Sequence, residues 1–172
     1  SAIESDDPVV FIEHKGLLLT RAEDFPYGAD VPKERYTVPI GKAAVVRSGN
    51  DVTIVTLSGT VVSAYAAAES LEDSGISVEL IDLRSVVPLD VETVRVSTKK
   101  TDHLLIVDED YLSFGLSGEI IARLVESNSL PKNVKRHALA DVPIPGSITL
   151  ERAVVPNKES IINAVRELVK QE

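Results

Sequence analysis

Short apolar runs alternate along this chain with longer stretches in which apolar residues recur every three or four positions. The runs at Val52–Leu57, Ile76–Leu83, Leu104–Val107 and Val134–Leu139 are rich in Val, Ile and Leu and read as strands. A shorter run, Ala43–Arg47, precedes the turn Ser48–Asp51, and its spacing to Val52–Leu57 predicts an antiparallel pair. Helical spacing covers Thr60–Ser74, with Val61, Val62, Tyr65, Ala68 and Leu71 on one face. It also covers Asp90–Lys100, about Ser117–Asn128, and Asn157–Val169 with Ile161, Ile162, Val165, Leu168 and Val169 inward. Punctuation agrees with these bounds. Ser58 or Thr60, Asp90 and Asn157 are placed to cap helices, and Gly75 ends the first. Strands alternating with helices predict an α/β fold. The expected form is a three-layer domain whose mostly parallel sheet of about five strands carries one antiparallel edge strand.

The first part of the chain has a different texture. Pro8–His14 reads as an apolar strand, VVFIEH, with no neighbouring run to pair with. Leu19–Pro39 contains Pro26, Gly28, Pro32 and Pro39 among charges and lacks sustained periodicity, as a connector does. These boundaries divide the chain into a leading segment 1–18, a linker 19–42 and a domain 43–172. The lone strand at the start suggests a piece of a longer protein.

Composition narrows the chemistry. With 44% hydrophobic residues but only 4% aromatics, the core must be built from Val, Ile, Leu and Ala. The net charge of −9 argues against a nucleic-acid partner and suits solubility or an acidic patch facing a basic partner. Without cysteine there are no disulfides, thiolate metal sites or thiol nucleophiles. His14, His103 and His137 are far apart in sequence and read as surface or interface residues, not as a metal set. No run approaches the roughly 18 apolar residues of a membrane span, and Ser1–Pro8 is too acidic and polar for a signal peptide.

Three stretches could carry function. Asp108–Glu109–Asp110 leaves a buried strand; three carboxylates could hold Mg²⁺ or exchange protons. Consecutive strand residues point to opposite faces, so the three read instead as loop acids and helix caps. Ser113–Ile120, SFGLSGEI, is a glycine-bearing strand-to-helix connection with neither a Walker lysine nor G-x-G-x-x-G spacing. Its small residues point to close packing around Phe114 and Gly115. Asp82 and Arg84 sit at a strand exit, where a bidentate ion pair would fix the crossover loop and Arg84 could face an adjoining domain. Ser58, Ser85 and Ser113 lack a G-x-S-x-G elbow, and neither His103 nor His137 has an assigned serine partner.

Four motifs occur in a telling order: PVVFIEHK at Pro8–Lys15, DVTIVTLSG at Asp51–Gly59, DLRSVVPLD at Asp82–Asp90 and DVPIP at Asp141–Pro145. Together they resemble the C-terminal half of the β chain of thiamine-diphosphate-dependent 2-oxoacid dehydrogenases, of the pyruvate and branched-chain type. The resemblance implies a transketolase C-terminal-like domain at 43–172, preceded by the tail of a pyrimidine-binding domain at 1–18. It implies a parent heterotetramer that decarboxylates a 2-oxoacid such as pyruvate and reductively acylates lipoyl groups. Thiamine diphosphate and Mg²⁺ belong to that parent, held by its α chain. The cofactor-activating glutamate and catalytic histidine lie in the pyrimidine-binding domain, and no residue here matches them. No catalytic, cofactor or metal residue is therefore assigned, and the chain alone is expected to be inactive and to bind no cofactor.

The resemblance assigns this domain to assembly. Its partners would be the α subunit, a second β subunit and the peripheral subunit-binding domain of the acyltransferase core. Asp82, Arg84, Phe114 and Gly115 are the candidate structural and interface residues; Asp141 and Glu172 are candidates for docking the basic subunit-binding module. An acidic pair at Asp108–Asp110 would position the glycine loop. Family members usually read F-G-x-G-A-E-I there, whereas this chain has Ser117 and Gly118 in the last two small positions. A bacterial or archaeal cytoplasm is the favoured compartment, ahead of mitochondrial matrix or plastid. The alternatives are the C-terminal domain of another transketolase-group enzyme or a stand-alone protein-binding module. Deoxyxylulose-phosphate synthase, the example of the first, resembles DPR plus an aromatic where this chain has DLRS.

Overall fold

The computed structural model of the chain describes residues 1–18, 20–27 and 31–170. Five strands form one sheet: β1 (Ala44–Arg47), β2 (Val52–Thr56), β3 (Val78–Asp82), β4 (His103–Tyr111) and β5 (Asn133–Leu139). Among the described residues five α-helices accompany them: α1 (Thr60–Glu72), α2 (Val91–Thr101), α3 (Leu116–Glu126), α4 (Ile148–Val154) and α5 (Lys158–Val169). The spatial order is β1-β3-β2-β4-β5, parallel except for β1. This is the three-layer, mostly parallel architecture that the sequence pattern predicts.

The period-two geometry of the strands sorts the core into two layers. Val52, Ile54, Val78, Leu80, Leu105 and Val107 face α1 and α5, whose Ala64, Ala67, Ala68, Leu71, Ile161, Val165 and Leu168 close that layer. The alanines let α1 approach the sheet closely. Val55, Ile81, Leu104 and Ile106 face the other way, against Val94 of α2 and Ile120 and Leu124 of α3. Fully burying each Leu or Ile contributes about 1.5–3 kcal/mol, so these two layers supply most of the stability.

Two strand expectations fail. β1 does not pair with β2; it lies antiparallel to β3. Both edges of β2 are taken by parallel partners, β3 and β4. The Ser48–Asp51 turn therefore carries the chain across the start of β3. There Gly49 lies so close that a Cβ would fall 2.1 Å from the Val78 carbonyl carbon. Pro8–His14 is not a strand at all: it makes no ladder, and Val10, Phe11 and Ile12 are exposed. Among the described residues no strand lies beside it, and extended backbone without a partner is not a strand.

Helix termini follow the caps read from sequence, with one exception. The Asp90 carboxylate accepts from the Thr93 backbone N–H at 3.2 Å, and Asn157 forms a capping box with Ser160. At α1 neither Ser58 nor Thr60 caps by side chain; Gly59 occupies the N-cap position. α4 was not anticipated. It buries no residue, so it lacks the inward apolar stripe that makes a helix legible.

Asp90 also fastens the start of the domain. Its second carboxylate oxygen accepts from the Ala43 backbone N–H at 3.1 Å. Burial would raise this carboxyl, but the Thr93 and Ala43 hydrogen bonds, with Lys42 nearby, outweigh it and hold the pKa below the ordinary value.

On β5, His137 Nε2 lies 2.8 Å from the Ser160 hydroxyl, a serine partner the sequence reading did not supply. Ser160 donates to the Asn157 carbonyl and accepts from the Asn157 N–H, so it closes a helix cap and is not poised as a nucleophile. Burial, reinforced by Lys135, lowers the His137 pKa; Glu167 opposes this weakly. The unfolded chain then binds a proton that the folded chain resists. His137 should accordingly reduce stability as pH falls below its ordinary value of about 6.5, and the loss should level off at the lower folded value. Denaturant midpoints between pH 7.5 and 5 should drop less steeply in His137→Gln than in the parent chain.

Candidate interface at the carboxyl edge of the sheet

The parallel strands β2, β3, β4 and β5 all end at one edge, where an open α/β sheet presents its crevice. Four connections meet there: Leu57–Gly59, Leu83–Leu89, Leu112–Gly115 and Ala140–Ser147. The candidate residues Asp82, Arg84, Phe114, Gly115 and Asp141 all lie along it. Glu172, the remaining docking candidate, lies outside the described residues.

β4 runs past its predicted end at Val107 to Tyr111, so the three acids belong to the strand itself. Alternation turns Glu109 away from Asp108, and the register shift against β5 between Val107 and Tyr111 breaks the period before Asp110. Asp108 turns inward, Glu109 is half-buried and Asp110 is exposed. Asp108 Oδ2 accepts the Ser117 N–H at 3.1 Å and Oδ1 accepts the Asp110 N–H at 3.1 Å. Its carboxylate thus sits at the N-terminus of α3, where it complements the helix dipole. The expected acidic pair reduces to one positioning residue, Asp108. Among the described residues no group of three His, Asp or Glu side chains could hold a metal ion.

Gly115 owes its identity to this packing. A Cβ there would fall 2.2 Å from the Tyr111 carbonyl oxygen and 3.4 Å from Asp108 Oδ2. The rest of the loop is fastened on both sides. Leu112 N–H donates to Leu139 O at 2.7 Å, and Arg136 Nη1 donates to Leu112 O at 2.8 Å. Ser113 Oγ donates to Asp141 Oδ2 at 2.6 Å, which ties the β4 exit to the β5 exit and fixes the Asp141 carboxylate. At the tip, Phe114 has φ +61° and a relative exposure of 107%. An aromatic residue in the left-handed region is strained, and here it is held strained with its ring in solvent.

Ser117 and Gly118 explain the altered small-residue pattern. Ser117 is fully buried, and its hydroxyl has no hydrogen-bond partner. Gly118 lies within α3, and a Cβ there would meet only Arg136 Nη1, at 3.8 Å. Nothing in the packing requires glycine at 118. Gly118→Ala should therefore stabilise the chain by about 0.5–1 kcal/mol, read as a rise of about 2–4 °C in Tm.

At the β3 exit the expected bidentate pair does not form. Arg84 Nε lies 3.8 Å from Asp82 Oδ2, a single loose contact. Arg84 adopts φ +57°, in the left-handed region. The crossover is fixed by the backbone instead, with Arg84 N–H donating to Asp82 Oδ1 at 3.2 Å. Asp82 has a second partner that sequence spacing could not reveal. The Tyr27 hydroxyl donates to Oδ2 at 3.2 Å, and the Tyr27 ring stacks on Tyr65 with centroids 5.9 Å apart. Burial raises the Asp82 pKa despite these bonds. Burial and the Asp82 charge raise that of Tyr27, which keeps its hydroxyl a donor. Beyond Arg84, Val86 and Val87 are exposed, Val87 to 85%. Val142 and Ile144 continue the apolar crest at the β5 exit.

This is a mostly parallel sheet with helices on both faces and exposed apolar loops at its carboxyl edge, and its family can be stated. The family model "Transketolase, C-terminal domain" matches residues 41–161, and the chain belongs to that family. Along nearly its whole length it is similar to β subunits of the pyruvate dehydrogenase E1 component. It is 43% identical to the mitochondrial subunit of Pisum sativum over 168 residues, covering 96% of this chain and 46% of that protein. It is 40% identical to the subunit of Staphylococcus aureus (strain Mu50 / ATCC 700699) over 172 residues, covering 99% of this chain and 51% of that one. The chain thus spans about half the length of the curated relatives it matches. Among solved structures, a split-gene transketolase described as an inactive β4 tetramer superposes with a TM-score of 0.71 at 26% identity. That match covers 82% of this chain and 46% of the other.

The α3 N-terminus does not fit the diphosphate of thiamine diphosphate. This glycine-bearing helix start already receives the Asp108 carboxylate. A diphosphate there would meet a like charge.

Proposed function

We propose that this chain is the assembly half of the β subunit of a 2-oxoacid dehydrogenase of the pyruvate type. In that reading 1–18 ends a pyrimidine-binding domain, 19–42 links it, and 43–172 is the association domain. The parent enzyme decarboxylates the 2-oxoacid on thiamine diphosphate and Mg²⁺ and passes the acyl group to lipoyl. The residues of this chain bind and orient neighbouring subunits and supply no group to that chemistry. Among the described residues no helix is long and apolar enough to cross a membrane. A bacterial or archaeal cytoplasm is the proposed compartment; the similar subunits include mitochondrial and bacterial ones.

One observation carries the proposal: Phe114 is strained, wholly exposed and held by a loop fastened at both ends. Strain of this kind persists where a function selects it, and an exposed aromatic on a fixed loop suits an interface anchor. The α subunit and a second β subunit are the proposed occupants of the crest at Val87, Phe114 and Arg84. Asp141, fixed by Ser113, is proposed to meet the basic subunit-binding domain, with Glu172 as its companion.

Calorimetric titration of the chain with an isolated peripheral subunit-binding domain tests the docking part. Binding should weaken as salt rises from 50 to 300 mM, in concentrations chosen for the experiment around the physiological Debye length of about 8 Å. Asp141→Asn should weaken it about three- to tenfold. Binding that ignores both salt and the Asp141 substitution would remove Asp141 from the docking site.

A further inference from the structure

At the carboxyl edge the direction of the connections reverses between β2 and β4: β2 connects through α1 to β3 on one side, and β4 through α3 to β5 on the other. β2 leaves for α1, which packs with α5 on one layer; β4 leaves for α3, which packs with α2 on the other. β2 and β4 are adjacent in the sheet. The crevice between their exits is therefore the topological switch point, where open α/β sheets bind ligands.

That crevice is filled from within. The His14 imidazole lies between two glycines that leave it room. A Cβ on Gly59, at the N-cap of α1, would fall 2.8 Å from His14 Nε2. A Cβ on Gly16 would fall 2.9 Å from His14 Cε1. On the β4 side, His14 Nε2 lies 3.4 Å from Glu109 Oε2. Nδ1 is buried and has no hydrogen-bond partner, so the ring is pressed into the crevice beyond what its polar contacts alone would favour. The neighbouring segment then turns away through the short helical turn Lys15–Leu17. On the other side of His14, Val10, Phe11 and Ile12 stand exposed.

We propose that His14 is an intramolecular latch: its side chain, seated between Gly59, Gly16 and Glu109, fixes the leading segment on the domain at the switch point. The site that would take a ligand in another doubly wound sheet here takes the chain itself. The latch sets where the exposed Val10–Ile12 stretch stands relative to the sheet edge. It makes no use of the partners proposed above, so its failure and theirs are separable.

Gly59 supplies the discriminating test. Its backbone is helical, with φ −61° and ψ −32°, so alanine would ordinarily be welcome there. The three atoms nearest the added methyl all belong to the seated imidazole. In the 172-residue chain, trypsin cleavage after Lys15 should accelerate about tenfold in both His14→Ala and Gly59→Ala, because a released segment is cut in proportion to its open population. Cleavage after Lys132, an exposed site at the opposite edge of the sheet, should not change and serves as the control. Hydrogen exchange at Leu105 and Val107 confirms that each variant stays folded. Adding Gly59→Ala to His14→Ala should have no further effect, since the ring is already gone. Lys15 cleavage within twofold of the parent in either single variant would overturn the latch. So would equal acceleration at Lys132, or additive effects in the double variant.

Discussion

Gly115→Ala should destabilise the chain by about 2–4 kcal/mol and release the Phe114 loop. The added methyl would sit 2.2 Å from the Tyr111 carbonyl oxygen, an atom of β4 backbone that cannot swing aside as a side chain can. Relief requires moving either the strand end or the first turn of α3. Moving α3 would stretch the Ser117-to-Asp108 bond, and moving the strand would disturb the Leu112 N–H to Leu139 O bond. Overpacking against a fixed backbone belongs among the costly substitutions. Chemical denaturation measures the loss. Proteolysis within 111–116 shows whether the loop is where it falls. A Gly115→Ala chain with parent stability would mean that the loop is softer than its bonds suggest.

The second large effect belongs to Asp108. Alanine there would leave the Ser117 and Asp110 backbone N–H groups without their acceptor, one of them in a fully buried setting. Hydrogen bonds to a charged acceptor contribute about 1.5–3 kcal/mol each. A loss of about 3 kcal/mol is expected for Asp108→Ala. Asparagine keeps one acceptor oxygen and should lose roughly half as much. The graded pair separates a loop-positioning carboxylate from a generic surface acid, for which both changes would fall within about 0.5 kcal/mol. Asp110→Asn provides that comparison on the same strand.

Much of the domain could be read from the chain because its strands are buried on both faces and its helices carry single apolar stripes. Val52–Leu57 and Leu104–Val107 announce themselves as nearly unbroken apolar runs, and Asp90 and Asn157 mark helix starts by a chemistry that is local. What escaped is what depends on partners far away in sequence. The pairing of β1 with β3 follows from β2 having both edges occupied, a global condition. Tyr27 finds Asp82 across 55 residues, and Ser160 finds His137 across 23. No periodicity encodes either contact. α4 was invisible because its apolar residues, Ile148 and Leu150, face outward.

The candidate edge was legible in part. The glycine loop drew attention through its composition, and close packing at Gly115 is what the structure shows. The division of labour among Asp108, Glu109 and Asp110 needed the strand to continue beyond Val107. Asp82 and Arg84 were correctly placed at the strand exit, yet the ion pair expected of them gives way to a backbone hydrogen bond and a tyrosine. Phe114 stood out in sequence only as part of a motif. Its left-handed backbone, the feature that points to an interface, is invisible without coordinates.

The most direct test of the assembly role is hydrogen exchange of the chain alone and in the presence of a pyruvate dehydrogenase α subunit. If the carboxyl edge is the association surface, amides in 85–87 and 112–115 slow by tenfold or more on mixing, while those at the opposite edge, around Asn50 and Thr101, do not change. Protection confined to the opposite edge, or none at concentrations that saturate binding, would contradict it.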